Sequence, residues 1–251
     1  MSSLRGWLGQ LGPRVRAVRG GLHPVSALKI AAGRYDDVRV RGVTLTGPVA
    51  RHVAVGAVEV AAGEYDAPGF GIARGERVVD VGANVGVFAV LAARSGAAVT
   101  AYEPHAGTFA ALERNVAGLD VTCVRAALVS RVPDDGQVLL QQDSDASTHH
   151  AIGTSGVAVP AVSLTDAIGQ GCDLLKLDCE GAEFDLIAGT PDQVLRRARR
   201  IACETHAWAG DPAAISGRLE ALGYGVRSRR KGPELGLLLA GQGPPASTFA
   251  A

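Results

Sequence analysis

From Arg77 onward one rhythm governs the chain: a short β-prone run, a stretch of helical pattern, then another run. The runs are RVVDV (Arg77 to Val81), AVTAYE (Ala98 to Glu103), VTCVRA (Val121 to Ala126), DLLKLD (Asp173 to Asp178) and RIACET (Arg200 to Thr205). Helical spacing of apolar residues occupies Val85 to Arg94, Gly107 to Val116 and Ala182 to Arg197, the last with a break at Thr190-Pro191. Strands spaced this way need crossovers rather than tight turns. That predicts an α/β fold, a doubly wound and mostly parallel sheet covered on both faces. Ligands of such sheets bind at the carboxyl ends of the strands, around the switch point. With 251 residues, 47% of them hydrophobic, the chain can bury one sizeable core.

The flanks read differently. Leu4, Trp7, Leu8, Leu11, Val15, Val18 and Leu22 recur every three or four residues while Arg5, Arg14, Arg16 and Arg19 fall mostly elsewhere, as in a basic amphipathic helix. The plain reading is an extension packed on the domain's own flank; the functional ones are a membrane-surface anchor, a dimer contact or a lid. Between Tyr35 and Tyr65, the alternating segments VRVRGVTL and HVAVGAVEV predict short antiparallel strands or hairpins. Residues 1–70 are therefore expected to form a helical and β-hairpin extension, 71–241 the main domain and 242–251 a disordered tail. The main domain closes with LGYGVRSRRKGPELGLLLAG, two strand-like runs around a Lys-Gly-Pro turn.

The first run should mark the pocket, and it continues as VVDVGANVGVFAV, Val78 to Val90. Gly82 and Gly86 bracket a strand-to-helix turn, Gly82 letting a ligand approach the backbone and Gly86 permitting tight helix packing. Glu103, at the end of the second run, can accept hydrogen bonds from both hydroxyls of a ribose. These features fit NAD or S-adenosylmethionine. The dinucleotide fingerprint requires a middle glycine so that a pyrophosphate can sit at the helix N-terminus, and here that position is Asn84. Asp80 would oppose a pyrophosphate but suits the cationic amino and sulfonium groups of S-adenosylmethionine.

Charge gathers again in LLKLDCEGAEFDLI, Leu174 to Ile187, where an apolar run gives way to Asp178, Glu180 and Glu183. The succession VVDVGANVGVFAV, AYEPHAGTF, VRAALVS, VPAVSLTDAI, LLKLDCEGAEFDLI and IACETH resembles the FkbM family of S-adenosylmethionine-dependent methyltransferases over about Tyr65 to Gly241. Its specific element is K-x-D-x-E-G-x-E. The resemblance implies the class I methyltransferase fold, a Rossmann-like seven-stranded sheet of order 3-2-1-4-5-7-6 with an antiparallel seventh strand. It implies S-adenosyl-L-methionine as cofactor and methylation of a hydroxyl on a small molecule, such as a polyketide or sugar of bacterial secondary metabolism. It carries cofactor-binding roles to Asp80, Gly82, Asn84, Gly86, Glu103, Pro104 and Asp178, and to Arg125, Ala126 and Ala127 near the adenine. Lys176, Asp178, Glu180, Gly181 and Glu183 match the signature, and Glu204 with His206 matches the ending of the fifth strand.

An alcohol must lose its proton as the new bond forms, and a positioned base contributes about 10²- to 10⁴-fold. His206, with an unperturbed pKa near 6.5 and Glu204 close by to orient it, is the first catalytic candidate; Glu180 and Asp178 follow. Glu183 falls in the first turn of a helix, where the macrodipole stabilises its charge. The polar stretch Gln141 to Gly156 reads as a long loop at the pocket mouth, with His149 or His150 as a further base. Asp178, Glu180, Glu204 and His206 are metal-ligand types without a diagnostic spacing, so no metal is assigned. A carboxyl or amine acceptor is the alternative reading, and a nicotinamide oxidoreductase a more remote one. The 25 basic and 25 acidic residues cancel and aromatics make up only 4%, which argues against a nucleic-acid partner. No apolar run reaches the roughly 18 residues of a membrane span. Four cysteines without C-x-x-C spacing read as reduced core thiols of a cytoplasmic protein, and a homodimer is compatible with the pattern.

Overall fold

A computed structural model describes residues 13, 15–65, 67–141 and 151–242. Residues 1–12 of the amphipathic pattern, the loop histidines His149 and His150, and the tail from 243 onward lie outside the described residues. Residues 15–20 are helical. Helix α1 (Pro24–Ala31), the hairpin strands β1 (Val38–Val40) and β2 (Val43–Leu45), and helix α2 (Ala50–Ala61) follow. The alternating part runs β3 (Arg77–Val81), α3 (Val87–Arg94), β4 (Ala98–Tyr102), α4 (Ala106–Asn115), β5 (Val121–Val124). Next come β6 (Ala127–Val129), β7 (Gln137–Leu140), β8 (Ile152–Gly153), β9 (Val157–Ser163) and α5 (Leu164–Ile168). The chain then forms β10 (Leu174–Leu177), α6 (Glu183–Gly189), α7 (Asp192–Leu195), β11 (Arg200–His206), α8 (Pro212–Ala221), β12 (Tyr224–Arg230) and β13 (Leu235–Gln242).

The main sheet has seven strands in the order β12-β13-β11-β10-β3-β4-β5. All neighbours are parallel except β13, which is antiparallel to both β11 and β12. This is the class I methyltransferase topology expected from the resemblance. Strand alternation sends Val78, Leu174, Ala202 and Leu239 to one core, where they meet α2, α3 and α4. Val79, Leu175, Ile201 and Leu238 face the other, against α5, α6, α7 and α8. Register across the two central strands sets Asp80 opposite Lys176, flanked by Ala101 and Ala202 on the outer neighbours. A charge pair is thereby built into the middle of the sheet.

One expectation is corrected. The hairpin reading holds for β1 and β2, joined at Arg41 and Gly42 with φ of 46° and 82°, the left-handed pair a two-residue turn requires. HVAVGAVEV, however, is helical and belongs to α2. Its buried residues are Val53, Ala54, Ala57 and Ala61, a helical period, and the β-branched valines between them had mimicked strand alternation. A second sheet, β6-β9-β7-β8, stands beside the pocket, and its β7 and β8 carry no alternation long enough to read from sequence. The break at Thr190-Pro191 is present between α6 and α7. All four cysteines are free, and among the described residues no helix is long and apolar enough to cross a membrane.

Candidate active site

The turn after β3 holds Gly82, Asn84 and Gly86 at φ of 72°, 52° and 86°. A Cβ on Gly82 would lie 1.8 Å from the carbonyl oxygen of Asp178, so its bare backbone serves the approach of β3 to the end of β10 as well as the pocket it lines. Gly86 lies outside the pocket lining, and a Cβ there would meet Leu112 of α4 at 2.7 Å, which is the helix-packing role expected. The backbone N–H of Asn84 donates to Glu103 Oε2 at 3.0 Å and that of His105 to Oε1 at 2.9 Å. Burial outweighs these two donors and pushes the Glu103 carboxyl up to about 7. Pro104, Ala126 and Ala127 line the cavity beside it. Arg125 does not; it is exposed.

Asp80 is placed differently from the expectation. It is fully buried behind the cavity wall, with Oδ1 accepting from Lys176 Nζ at 3.0 Å, while Oδ2 has no partner. Burial raises its carboxyl and Lys176 partly offsets that rise. The Lys176 ammonium also donates to the Gly82 carbonyl at 3.0 Å, lies 3.6 Å from Asp178 Oδ2, and sits 5.7 Å from the Tyr65 ring and 5.8 Å from that of Phe88. Burial works against that charge, but Asp80 and Asp178 hold it on. Asp178 accepts the Tyr65 hydroxyl at 3.0 Å. Burial pushes its carboxyl up, yet the charges of Lys176 and His206 and the Tyr65 hydrogen bond bring it below the ordinary range.

His206 does not line the cavity. It is buried under the carboxylates, its Nδ1 2.6 Å from Oε1 of the fully buried Glu183, whose two oxygens also accept the N–H groups of His206 and Gly181. Its Nε2 lies 3.5 Å from Glu180 and 3.9 Å from Glu204. Burial disfavours the imidazolium, but the hydrogen bond and charge of Glu183, then Glu180 and Asp178, outweigh it and raise the pKa to about 9. At neutral pH this ring is a cation, so it is no base. Its orienting partner is Glu183, the first residue of α6, and not Glu204.

Glu204 does open on the cavity. Burial and the charge of Asp178 raise its carboxyl to about 7, against the pull of Lys231. Lys231, in the turn between β12 and β13, bridges Glu204 and Glu64, and Arg229 donates to the Glu64 carbonyl at 2.9 Å. Glu180, with φ of 52°, lines the same wall. Across from it α2 contributes Arg51, His52, Val55, Gly56, Glu59 and Val60, positions that share one helical face. Tyr65, Lys231 and the α2 face escaped the sequence reading because each joins the site through contacts distant in sequence; Glu183 belongs to the signature, but its pairing with His206 is not legible there. Two of the chain's three lysines being near it was the one available hint.

The cavity measures about 420 Å³, within the range of small-molecule sites. Its Glu103 end fits a ribose, and the Asp178 carboxylate on its wall fits a cationic group. Asp178, Glu204 and His206 each bring one ligand atom within 4.8 Å of the others, as a divalent ion would need. The imidazolium and the Lys231 ammonium already supply positive charge to that cluster.

Residues 80–226 match the family model of the methyltransferase FkbM domain. A protein of Beauveria bassiana described as methyltransferase 1 is 26% identical over 183 residues, 61% of this chain and 74% of that protein. Among solved structures, the METTL16 methyltransferase domain covers 87% of this chain and 79% of its own length at 18% identity, with a TM-score of 0.52. Methyltransferase FkbM from Methylobacillus flagellatus covers 91% of this chain and 58% of its own length at 13% identity, with a TM-score of 0.46.

Proposed function

The chain belongs to the FkbM methyltransferase family, with S-adenosylmethionine as its cofactor, and from that premise we propose that it methylates a hydroxyl oxygen of a small molecule, a polyketide or sugar of the secondary-metabolite kind. The observation carrying this reading is a carboxylate on the cavity wall, Glu204, with a pKa of about 7, poised to take the proton of an alcohol. A carboxyl acceptor would need no base and would meet Glu59, Glu64, Asp178, Glu180 and Glu204 as like charges.

Glu103 holds the ribose end, and Asp178 faces the cationic end, with Lys176 lying between it and the buried Asp80 and favouring its charged form. Bound there, S-adenosylmethionine would supply an electrophilic methyl group to the acceptor oxygen and leave as the neutral thioether. Glu204 accepts the hydroxyl proton. The His206 imidazolium, fixed by Glu183, limits the repulsion among Asp178, Glu180 and Glu204. Tyr65 fixes the Asp178 carboxylate. Alignment of this kind is worth effective molarities of roughly 10⁵ to 10⁸ M.

The test is transfer of a tritiated methyl group from S-adenosylmethionine to hydroxyl compounds, followed by mild base. A base-stable methyl ether supports the reading; label released as methanol identifies a methyl ester and sinks it. Glu204→Gln should lower kcat by about 10²- to 10⁴-fold and remove the limb of the pH profile near 7. A variant that keeps that limb assigns the base elsewhere.

A further inference from the structure

We infer that Tyr65, in the segment between α2 and β3, is a positioning residue of the cofactor site: its hydroxyl holds Asp178 in the orientation that meets the cationic end of S-adenosylmethionine. This rests on the methyltransferase reading above.

Tyr65 does not line the cavity. It stands behind Asp178, 5% exposed, and donates its hydroxyl to Asp178 Oδ2 at 3.0 Å. Packing alone gives no reason for that hydroxyl. The ring meets Phe88 edge-on, with centroids 5.4 Å apart and planes at 79°, and lies 5.7 Å from the Lys176 ammonium. A phenylalanine would make both contacts. A buried hydroxyl costs stability unless it is hydrogen-bonded, and among the described residues its one hydrogen bond goes to Asp178. Burial and the charge of Asp178 push the Tyr65 pKa well above its usual value, so the hydroxyl keeps its proton and acts as a donor.

The same Asp178 oxygen lies 3.6 Å from Lys176 Nζ. Oδ2 is thus held from two sides, while among the described residues no group donates a hydrogen bond to Oδ1 of this cavity-lining carboxylate. With one oxygen tied down, the side chain meets a cation without giving up rotation at the moment of binding. Without the tie, that freedom is lost only when the ligand arrives, and the loss weakens affinity. Tyr65 is itself fastened. The preceding residue, Glu64, accepts Lys231 through its carboxylate and Arg229 through its carbonyl, the latter at 2.9 Å. The last hairpin therefore fixes the backbone that carries Tyr65. Tyr65, Arg229 and Lys231 all lie outside residues 80–226, so the match to the family domain contains none of this support.

The test titrates the full chain calorimetrically with S-adenosylmethionine and with 5′-methylthioadenosine, in the absence of any acceptor. The second probe keeps the adenine, the ribose and the sulfur but lacks the sulfonium charge and the amino-acid end. Tyr65→Phe should weaken S-adenosylmethionine binding by about three- to tenfold, the cost of ordering one side chain. It should leave 5′-methylthioadenosine affinity unchanged, which also shows that the variant is folded. In an Asp178→Ala background the same substitution should cost S-adenosylmethionine nothing further, because no carboxylate remains to orient. A loss shared by both probes, no loss for either, or an equal loss with and without Asp178 overturns the proposal. Where 5′-methylthioadenosine binds too weakly to titrate, the comparison with and without Asp178 decides alone. Failure of the unaltered chain to bind S-adenosylmethionine would instead take down the methyltransferase reading beneath it.

Discussion

Replacing Glu183 with Gln keeps the shape of the side chain, and an oxygen for the His206 N–H, but removes the charge that holds His206 as a cation. The His206 pKa of about 9 exceeds the unfolded value of about 6.5 by about 2.5 units, or about 3.4 kcal/mol at 1.36 kcal/mol per unit. Because the folded pKa is the raised one, this stabilisation is full below pH 6.5, about 2.5 kcal/mol at pH 7, and lost as pH rises through 9. His206 is only 3% exposed, so solvent screening takes little from that figure. Urea unfolding of both proteins between pH 6 and pH 10 should show a gap about 3 kcal/mol larger at the acid end. Loss of the charged contact to the Gly181 N–H adds a cost that does not vary with pH, and Glu103 and Glu204 titrate in both proteins. Imidazole proton resonances should report a wild-type midpoint near 9. A gap that is flat with pH, or a wild-type ring titrating at or below 6.5, would refute the assignment of His206 as a buried cation.

The sheet-centre pair offers a second test. Lys176→Met strands the Asp80 charge and should cost about 3–5 kcal/mol, whereas Lys176→Met with Asp80→Asn should recover much of it; equal losses in denaturant melts would contradict the pairing. Glu103 must be ionised to accept two ribose hydroxyls, so S-adenosylhomocysteine affinity should weaken below pH 7, by up to about tenfold per unit, and a calorimetric profile flat from pH 5 to 8 would remove Glu103 from that role. Since cations from the chain already occupy the carboxylate cluster, EDTA should leave methyl transfer unchanged; loss of turnover restored by Mg²⁺ would make the grouping of Asp178, Glu204 and His206 a metal site.

What could be read from the sequence was what local pattern encodes. Buried parallel strands alternate with helices in a period visible to the eye, and glycine at Gly82 and Gly86 announces a turn with positive φ. The K-x-D-x-E-G-x-E element located the carboxylates but could not say which of them shared a proton with whom. Glu183 and Glu204 are both near His206 in the fold, and the choice between them depends on α6 turning its first residue under β11. The strand reading of HVAVGAVEV failed for a related reason: valine favours strands in general, but here the partner surface is α3 and the sheet, and burial follows a helical face. Lys231 was invisible as a site residue because nothing local marks a hairpin turn that returns to a helix ending some 170 residues earlier.

The tie between Lys231 and Glu64 spans 167 residues, and that between Tyr65 and Asp178 spans 113. Such separations order events during synthesis. At roughly 5–20 residues per second, the helix α2 that lines the cavity leaves the ribosome on the order of 10–30 s before the lysine that will pin the residue after it. Before residue 204 is added the nascent chain holds the glycine turn and Glu103 but has neither Glu204 nor its lysine partner, which follows 27 residues later. A product that ends before residue 204 would therefore lack the carboxylate proposed above as the base. Completion of the last hairpin is the step that brings Lys231, Glu64 and Glu204 together.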